Sequence, residues 1–133
     1  MLNINKQSDY GILFISSLVG KKDYIPLSDL VKKTKLPKRF LARIAAELAK
    51  HKIVESKEGK MGGYKLSKQA KIISLYEYLK IFEGELSFVR CNEDNYHCRW
   101  EKICSQKNFL QKKLNKIIID ELKKWTLKDL LPI

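Results

Sequence analysis

Three features of the sequence predict a mainly α fold with one small β-hairpin. Two helical patterns joined by a short turn occupy residues 28–50, and the second is cationic on the face opposite its apolar stripe. A glycine-rich turn between two strand-like runs follows at once, over residues 53–67. A long apolar stripe at three- and four-residue spacing then runs through residues 106–125. A helix-turn-helix with a hairpin attached is a winged helix-turn-helix, and the long stripe predicts a C-terminal helix that serves a dimer. The expected organisation is a winged unit over 1–84, a cysteine-containing loop over 85–105, and a dimerisation helix with a final turn over 106–133.

Taken in order, the first helix is expected to start near Asn5 or Ser8, because Tyr10, Leu13, Phe14 and Leu18 recur at helical spacing. Gly20-Lys-Lys-Asp closes it in a polar turn. Pro26 biases Ile25 away from helix, so Tyr24-Ile-Pro-Leu reads as a short extended piece. Ser28 is expected to cap a short helix from Asp29 to Lys33, with Asp29 favourable in the first turn. Pro37 suits the first turn of the next helix, where its missing N–H costs nothing, and that helix runs to about Lys50. Leu41, Ile44, Ala45 and Leu48 share one of its faces; Lys38, Arg39, Ala42, Arg43 and Ala46 share the other.

Ile53 to Lys57 and Tyr64 to Ser67 read as two strands. The connecting Glu58-Gly-Lys-Met-Gly-Gly63 exceeds a tight two-residue turn and should project as a wing carrying Lys57 and Lys60. Gly62 and Gly63 suit either positive φ or a close approach to a phosphate backbone, although a hairpin needs glycines whatever it binds. Ser74-Leu-Tyr-Glu77 is a capping box that opens a helix through about Glu83, with Gly84 just past its end. In the C-terminal helix, from about Gln106 to Trp125, the stripe comprises Leu110, Leu114, Ile117, Ile118, Leu122 and Trp125. A second copy of the chain is its natural partner, favoured over packing back on the chain's own domain. Thr126-Leu-Lys-Asp-Leu reads as a last capped turn.

All three cysteines lie in Cys91-Asn-Glu-Asp-Asn-Tyr-His-Cys98-Arg-Trp-Glu-Lys-Ile-Cys104. Asn, Glu, Asp and His are poor company for a buried, inert thiol. Thiolates suit zinc, copper(I) and iron–sulfur clusters. Structural zinc sites usually use pairs two to four residues apart, and six and five residues separate these cysteines. The wider spacing favours an iron–sulfur site lacking one ligand. Candidates for the fourth are Asp9, His97, Glu93 and Asp94. A zinc site of Cys91, Cys98, Cys104 and His97 is the competing reading, made awkward by two adjacent inward-pointing residues. His51, at a helix end, reads as structural.

The chain of 133 residues, 44% hydrophobic, is long enough for one sizeable core, and no run approaches the length of a membrane span. A net charge of +12, from 27 Lys and Arg against 15 Asp and Glu, favours an anionic partner. No secretory leader opens the chain, so a reducing cytoplasm is the expected setting. Neither a Ser/His/Asp set, nor a phosphate-cradling glycine motif, nor paired acids in a pocket context is present. An enzyme, and hence a small-molecule substrate, is not expected.

Over nearly its whole length the chain resembles the IscR/NsrR group of bacterial winged-helix regulators, the Rrf-two family. The resemblance rests on the order of Asp9-Tyr10, Leu41-Ala-Arg-Ile44 leading to Ile53-Val54, Gly62-Gly63-Tyr64, the three cysteines and Thr126-Leu127. It implies a dimer on double-stranded DNA, with recognition helices in successive major grooves and wings at the minor groove. It also implies an iron–sulfur cluster held by Cys91, Cys98 and Cys104 near the partner's first helix, with 4Fe–4S favoured over 2Fe–2S. NsrR-like members take their fourth ligand from an acid in the first helix, and Asp9 stands at the matching place. IscR-like members often carry a histidine three residues after the last cysteine, where this chain has Lys107. The wing commonly reads Arg-Gly before its glycines, where this chain has Glu58-Gly59.

The resulting expectation is a homodimeric transcription regulator, a repressor, that senses redox state, nitric oxide or iron. Ser28, Lys38, Arg39, Arg43, Lys57, Lys60, Gly62, Gly63 and Tyr64 are its expected DNA-contacting residues. The alternative is a nucleic-acid-binding module, zinc-stabilised or metal-free, without a sensing role.

Overall fold

In the computed structural model, residues 3–89, 91, 95–105 and 109–133 are described. The expected positions Glu93, Asp94, Gln106 and Lys107, and the Leu110 side chain, lie outside the described residues.

Helix α1 spans Lys6–Leu18, and the Asn5 side chain caps it by accepting from the Ser8 N–H. Gly20 takes positive φ in the turn that follows. Helix α2 is Leu27–Thr34 and helix α3 is Lys38–Lys50. Both begin directly after a proline, Pro26 and Pro37, whose fixed φ pre-sets the first turn. Ser28 is therefore the second residue of α2 and not its cap, a correction to the reading from sequence: the proline two residues earlier starts the helix first. Lys35, in the left-handed region, ends α2 and makes the sharp turn into α3.

Strand β1 (Val54–Lys57) pairs antiparallel with β2 (Gly63–Leu66), in the register Val54↔Leu66, Glu55↔Lys65, Ser56↔Tyr64 and Lys57↔Gly63. The extended piece around Ile25 adds a third rung by bridging Tyr64, with Ile25 N–H to Tyr64 O at 2.8 Å and the reciprocal bond at 2.9 Å. A 3-10 turn (Lys68–Lys71) leads to helix α4 (Leu75–Glu83). Ser74 and Glu77 form the complete capping box, and Gly84 closes the helix at positive φ.

The C-terminal helix is not uniform. Residues Phe109–Leu114 are π-helical and continue into helix α5 (Asn115–Lys124). Helix α6 (Leu127–Leu130) follows, with a Thr126/Asp129 capping box.

The core is formed by one face of each of the first helices. Phe14, Ile15 and Leu18 of α1, Leu30 of α2 and Leu41, Ile44, Ala45 and Leu48 of α3 meet Ile53, Val54, Tyr78 and Leu127, all buried. Tyr64 packs edge-on against Phe14. Gly11 lets α4 approach α1 closely, because a Cβ there would collide with the Tyr78 hydroxyl. That hydroxyl donates to the Ser8 carbonyl. Burial, and then the Asp9 and Glu83 carboxylates, push the Tyr78 phenol well above its ordinary pKa. Glu83 holds the start of α1 by accepting from the Asn5 N–H and the Ser8 hydroxyl, both at 2.8 Å.

The last turn returns to this core. Ser74 and Thr126 form an antiparallel bridge, with Leu75 N–H donating to Trp125 O at 2.8 Å and Leu127 N–H to Ile73 O at 3.0 Å. Leu127 is fully buried.

Candidate nucleic-acid interface and cysteine loop

Helix α3 owes its exposed face to a strict division of residues. The apolar positions 41, 44, 45 and 48 are locked in the core, so Lys38, Arg39 and Arg43 project into solvent on the opposite side. Small Ala42 and Ala46 stand between the charges. No salt bridge engages these three cations among the described residues. Ser28 is exposed in the first turn of α2. The arrangement is a helix surface with free guanidinium groups and little steric bulk, able to approach base edges and phosphates closely.

The wing divides the remaining expected residues by role. Lys57 and Lys60 are exposed. Gly62 is buried, and a Cβ there would collide with the Lys57 carbonyl oxygen; at Gly63, with φ +137°, it would collide with that of Ile25. Both glycines thus allow a close approach to the chain's own backbone, which the fold requires whatever the wing binds. Tyr64 is likewise turned inward, between Phe14 and the Ile25 bridge.

Residues 98–104 of the cysteine segment form turns. Glu101 N–H donates to Cys98 O, and the Ile103 and Cys104 N–H groups donate to Trp100 O. Cys91 and Cys98 are half-buried and Cys104 is exposed. Among the described residues no three His, Cys, Asp or Glu side chains gather closely enough to hold a metal ion. The donor set itself, three soft sulfur ligands in one segment, suits a cluster. Asp9 is exposed in the first turn of α1, and its carboxylate has no hydrogen-bond or salt-bridge partner among the described residues. His97 is exposed beside Cys98. His51, also exposed, hydrogen-bonds through Nδ1 with the Glu47 carbonyl at 3.0 Å, a local helix-end contact.

Residues 4–132 match the family model described as "Rrf2: Iron-dependent Transcriptional regulator". The chain belongs to the Rrf2 family. Like its relatives it is a transcriptional regulator and not an enzyme. It is 27% identical to the HTH-type transcriptional regulator NsrR of Bacillus licheniformis, covering 98% of this chain and 92% of that protein. It is 32% identical to the NsrR of Halalkalibacterium halodurans over 68% of this chain and 62% of that protein. In fold it is similar to CymR, the global cysteine regulator of B. subtilis, with TM-score 0.68, 22% identity and coverage of 98% of this chain and 96% of the other. It is also similar to T. potens IscR, with TM-score 0.66, 23% identity and coverage of 97% and 85%.

Within this Rrf2 chain, two contacts escaped the sequence reading. Asn115, the first residue of α5, accepts from the Phe88 N–H at 3.0 Å and donates to the Leu86 carbonyl at 3.4 Å, tying the segment before Cys91 to α5. The Tyr24 ring lies within 5.7 Å of the Lys57 ammonium and 5.2 Å of that of Lys65. Neither has a sequence signature, because each depends on elements brought together by the fold.

Proposed function

We propose that this Rrf2 regulator binds operator DNA as a homodimer and reports the state of an iron–sulfur cluster held by Cys91, Cys98 and Cys104. The observation that carries the DNA half is α3, whose apolar face is committed to the core while Lys38, Arg39 and Arg43, without a salt bridge among the described residues, stand exposed on the other side. In the major groove Arg43 and Arg39 meet the O6 and N7 acceptors of guanine. Lys38, Lys57, Lys60 and the Ser28 hydroxyl meet phosphates, which set register without specifying sequence. Gly62, Gly63 and Tyr64 act by holding the wing in shape.

The dimer reading is supported by α5, which buries none of its residues fully in the single chain. Leu114, Ile118 and Leu122 are half-buried in the single chain, while Ile117 and Trp125 are 60% and 51% exposed. Part of the expected stripe therefore packs on its own domain, and its outer part is left for a second copy. A dimer places two recognition helices on successive half-sites about one helical turn apart.

For sensing, the three thiolates hold the cluster, and the exposed Asp9 carboxylate of the neighbouring subunit is the favoured fourth donor. When bound, such a cluster supplies a redox- and nitric-oxide-reactive group whose loss releases its ligands. Asn115 joins the loop to α5, and the Tyr76 ring, with the Lys123 ammonium at 4.8 Å and that of Lys80 at 5.4 Å, joins α5 to α4. These contacts give a physical route from loop to DNA-binding unit, with α5 as the element both sites bias.

Protein purified without oxygen should be coloured, with iron and sulfide in near-equal amounts. It should bind duplex DNA with an affinity that changes when nitric oxide is added. Colourless protein carrying zinc, with DNA binding indifferent to nitric oxide, supports the module without a sensing role instead.

A further inference from the structure

The outer face of the wing carries an arrangement that recognition through α3 does not use. Strand alternation puts Glu55 and Lys57 of β1 on the same sheet face as Lys65 of β2, because Glu55 and Lys65 are directly opposed in the register. The inner face carries Val54, Tyr64 and Leu66 toward the core. Against the outer face lies the segment between α1 and α2, and the two together enclose a notch of about 400 Å³ lined by Lys22, Asp23, Tyr24, Lys57, Lys60 and Lys65.

Four ammonium groups thus line one notch, against the Asp23 carboxylate in its lining and the Glu55 carboxylate on the same sheet face. No ion pair engages any of the four among the described residues. Two of them, Lys57 and Lys65, share one aromatic ring at 5.7 and 5.2 Å. The ring quadrupole attracts each cation, while the two like charges repel. The Tyr24 hydroxyl donates weakly to Glu55 Oε2 at 3.4 Å. A pair of cations ordered on one ring, outnumbering the nearby carboxylates and without an ion pair among the described residues, is preorganised for an anion. Glu58 is exposed in the loop that joins the strands. A carboxylate there opposes insertion of the loop into the strongly negative minor groove, whereas the lysines of the flank favour contact along the phosphate backbone.

We propose that the flank of the wing is a phosphodiester-binding notch for duplex DNA. In it Tyr24 is a positioning residue that orders Lys57 and Lys65 as a pair, and Lys22 and Lys60 complete the charge. The inference rests on the DNA-binding reading above and extends it to Tyr24, Lys22 and Lys65.

The test uses the full chain and a labelled mixed-sequence DNA duplex, with anisotropy followed across a potassium chloride series. Each phosphate contact contributes about 0.9 to the slope of log affinity against log salt, so Lys65→Ala should flatten the slope by about 2 in a dimer. Lys116→Ala, on α5, serves as the control for net charge and should change it less. Tyr24→Leu keeps every charge and should weaken binding several-fold at fixed salt. Tyr24→Phe, which keeps the ring, should bind like the parent. Should Tyr24→Leu fail to fold, the surface variant Lys65→Ala still decides the matter.

A parent-like slope for Lys65→Ala, or Tyr24→Phe as weak as Tyr24→Leu, overturns the notch. So does saturable binding of inorganic phosphate to the parent with the DNA slope unchanged in Lys65→Ala, which makes the notch a site for a small free anion. Failure of the parent itself to bind any duplex overturns the DNA reading. Loss of binding in Arg43→Ala, with both notch variants unaffected, overturns this inference alone.

Discussion

Arg43 stands at the middle of the exposed face of α3, one turn beyond Arg39, and its guanidinium has no intramolecular salt bridge among the described residues. Replacing it with alanine leaves the core face untouched. Arg43→Ala should therefore cost about 1–3 kcal/mol in specific DNA affinity and relax the preference at one base pair per half-site, with the thermal midpoint unchanged. Titration of parent and variant against an operator and its single-base variants checks this; unchanged affinity removes α3 from the groove. Asp9 offers a sharper contrast. As a first-turn acid it interacts with the helix dipole, worth about 0.3–1 kcal/mol. As a ligand it controls the cluster. Asp9→Ala should alter or lose the cluster absorbance of anaerobic protein, while His97→Ala should leave it intact; the reverse result would falsify the Asp9 assignment. Gly62 and Gly63 have a role in the fold whatever the wing binds, since the oxygens that exclude a Cβ belong to Lys57 and Ile25.

Among the elements, the C-terminal turn is the one whose importance exceeds its length. Leu127 is fully buried, and the bridge between Ser74 and Thr126 fixes the end of α5 to the start of α4. Leu127→Ala should destabilise the chain by about 2–5 kcal/mol, read as a lowered denaturant midpoint. The Asp129 carboxylate is held below its ordinary pKa, first by the Thr126 N–H and then by the Thr126 hydroxyl. Its folded value lies below its unfolded one, so the cap contributes fully above the unfolded value near ~4 and is lost as pH falls through the depressed folded value. Melting curves of Asp129→Ala and the parent should differ at neutral pH and converge in acid; a gap that persists there assigns the effect to packing. The π-helical stretch Phe109–Leu114 lies between the cysteine segment and α5, where inserted residues often mark functional sites.

For the molecule as a whole, the decisive property is what α5 leaves uncovered. Ile117 is the cleaner probe of a dimer than Ile118, because Ile118 is half-buried in the single chain while Ile117 is 60% exposed. Ile117→Glu should leave the monomer fold intact and place an unpaired carboxylate in the proposed seam between two copies, which is strongly disfavoured. Sedimentation should then show monomer, and DNA affinity should fall because two half-sites are no longer engaged together. A variant that stays dimeric with parent-like affinity moves the seam off this face.

The sequence by itself determined the helices, the hairpin and the cationic face of α3, because these follow from short-range rules. Apolar spacing defines which side of α3 is buried, proline and glycine mark where elements start and stop, and Ser74-Leu-Tyr-Glu77 and Thr126-Leu-Lys-Asp129 are capping boxes written in four residues. The Rrf2 pattern was legible for the same reason, as an order of local pieces. Tertiary structure alone decided that Ile25 would join the sheet at Tyr64, that Asn115 would grip the segment before Cys91, and that Tyr24 would carry two lysines from neighbouring strands. It also decided that the C-terminal stripe would be split, with Leu114, Ile118 and Leu122 half-buried and Ile117 and Trp125 outward. Each of these is a contact between residues distant in sequence, and its geometry depends on how whole elements pack, which no local periodicity encodes.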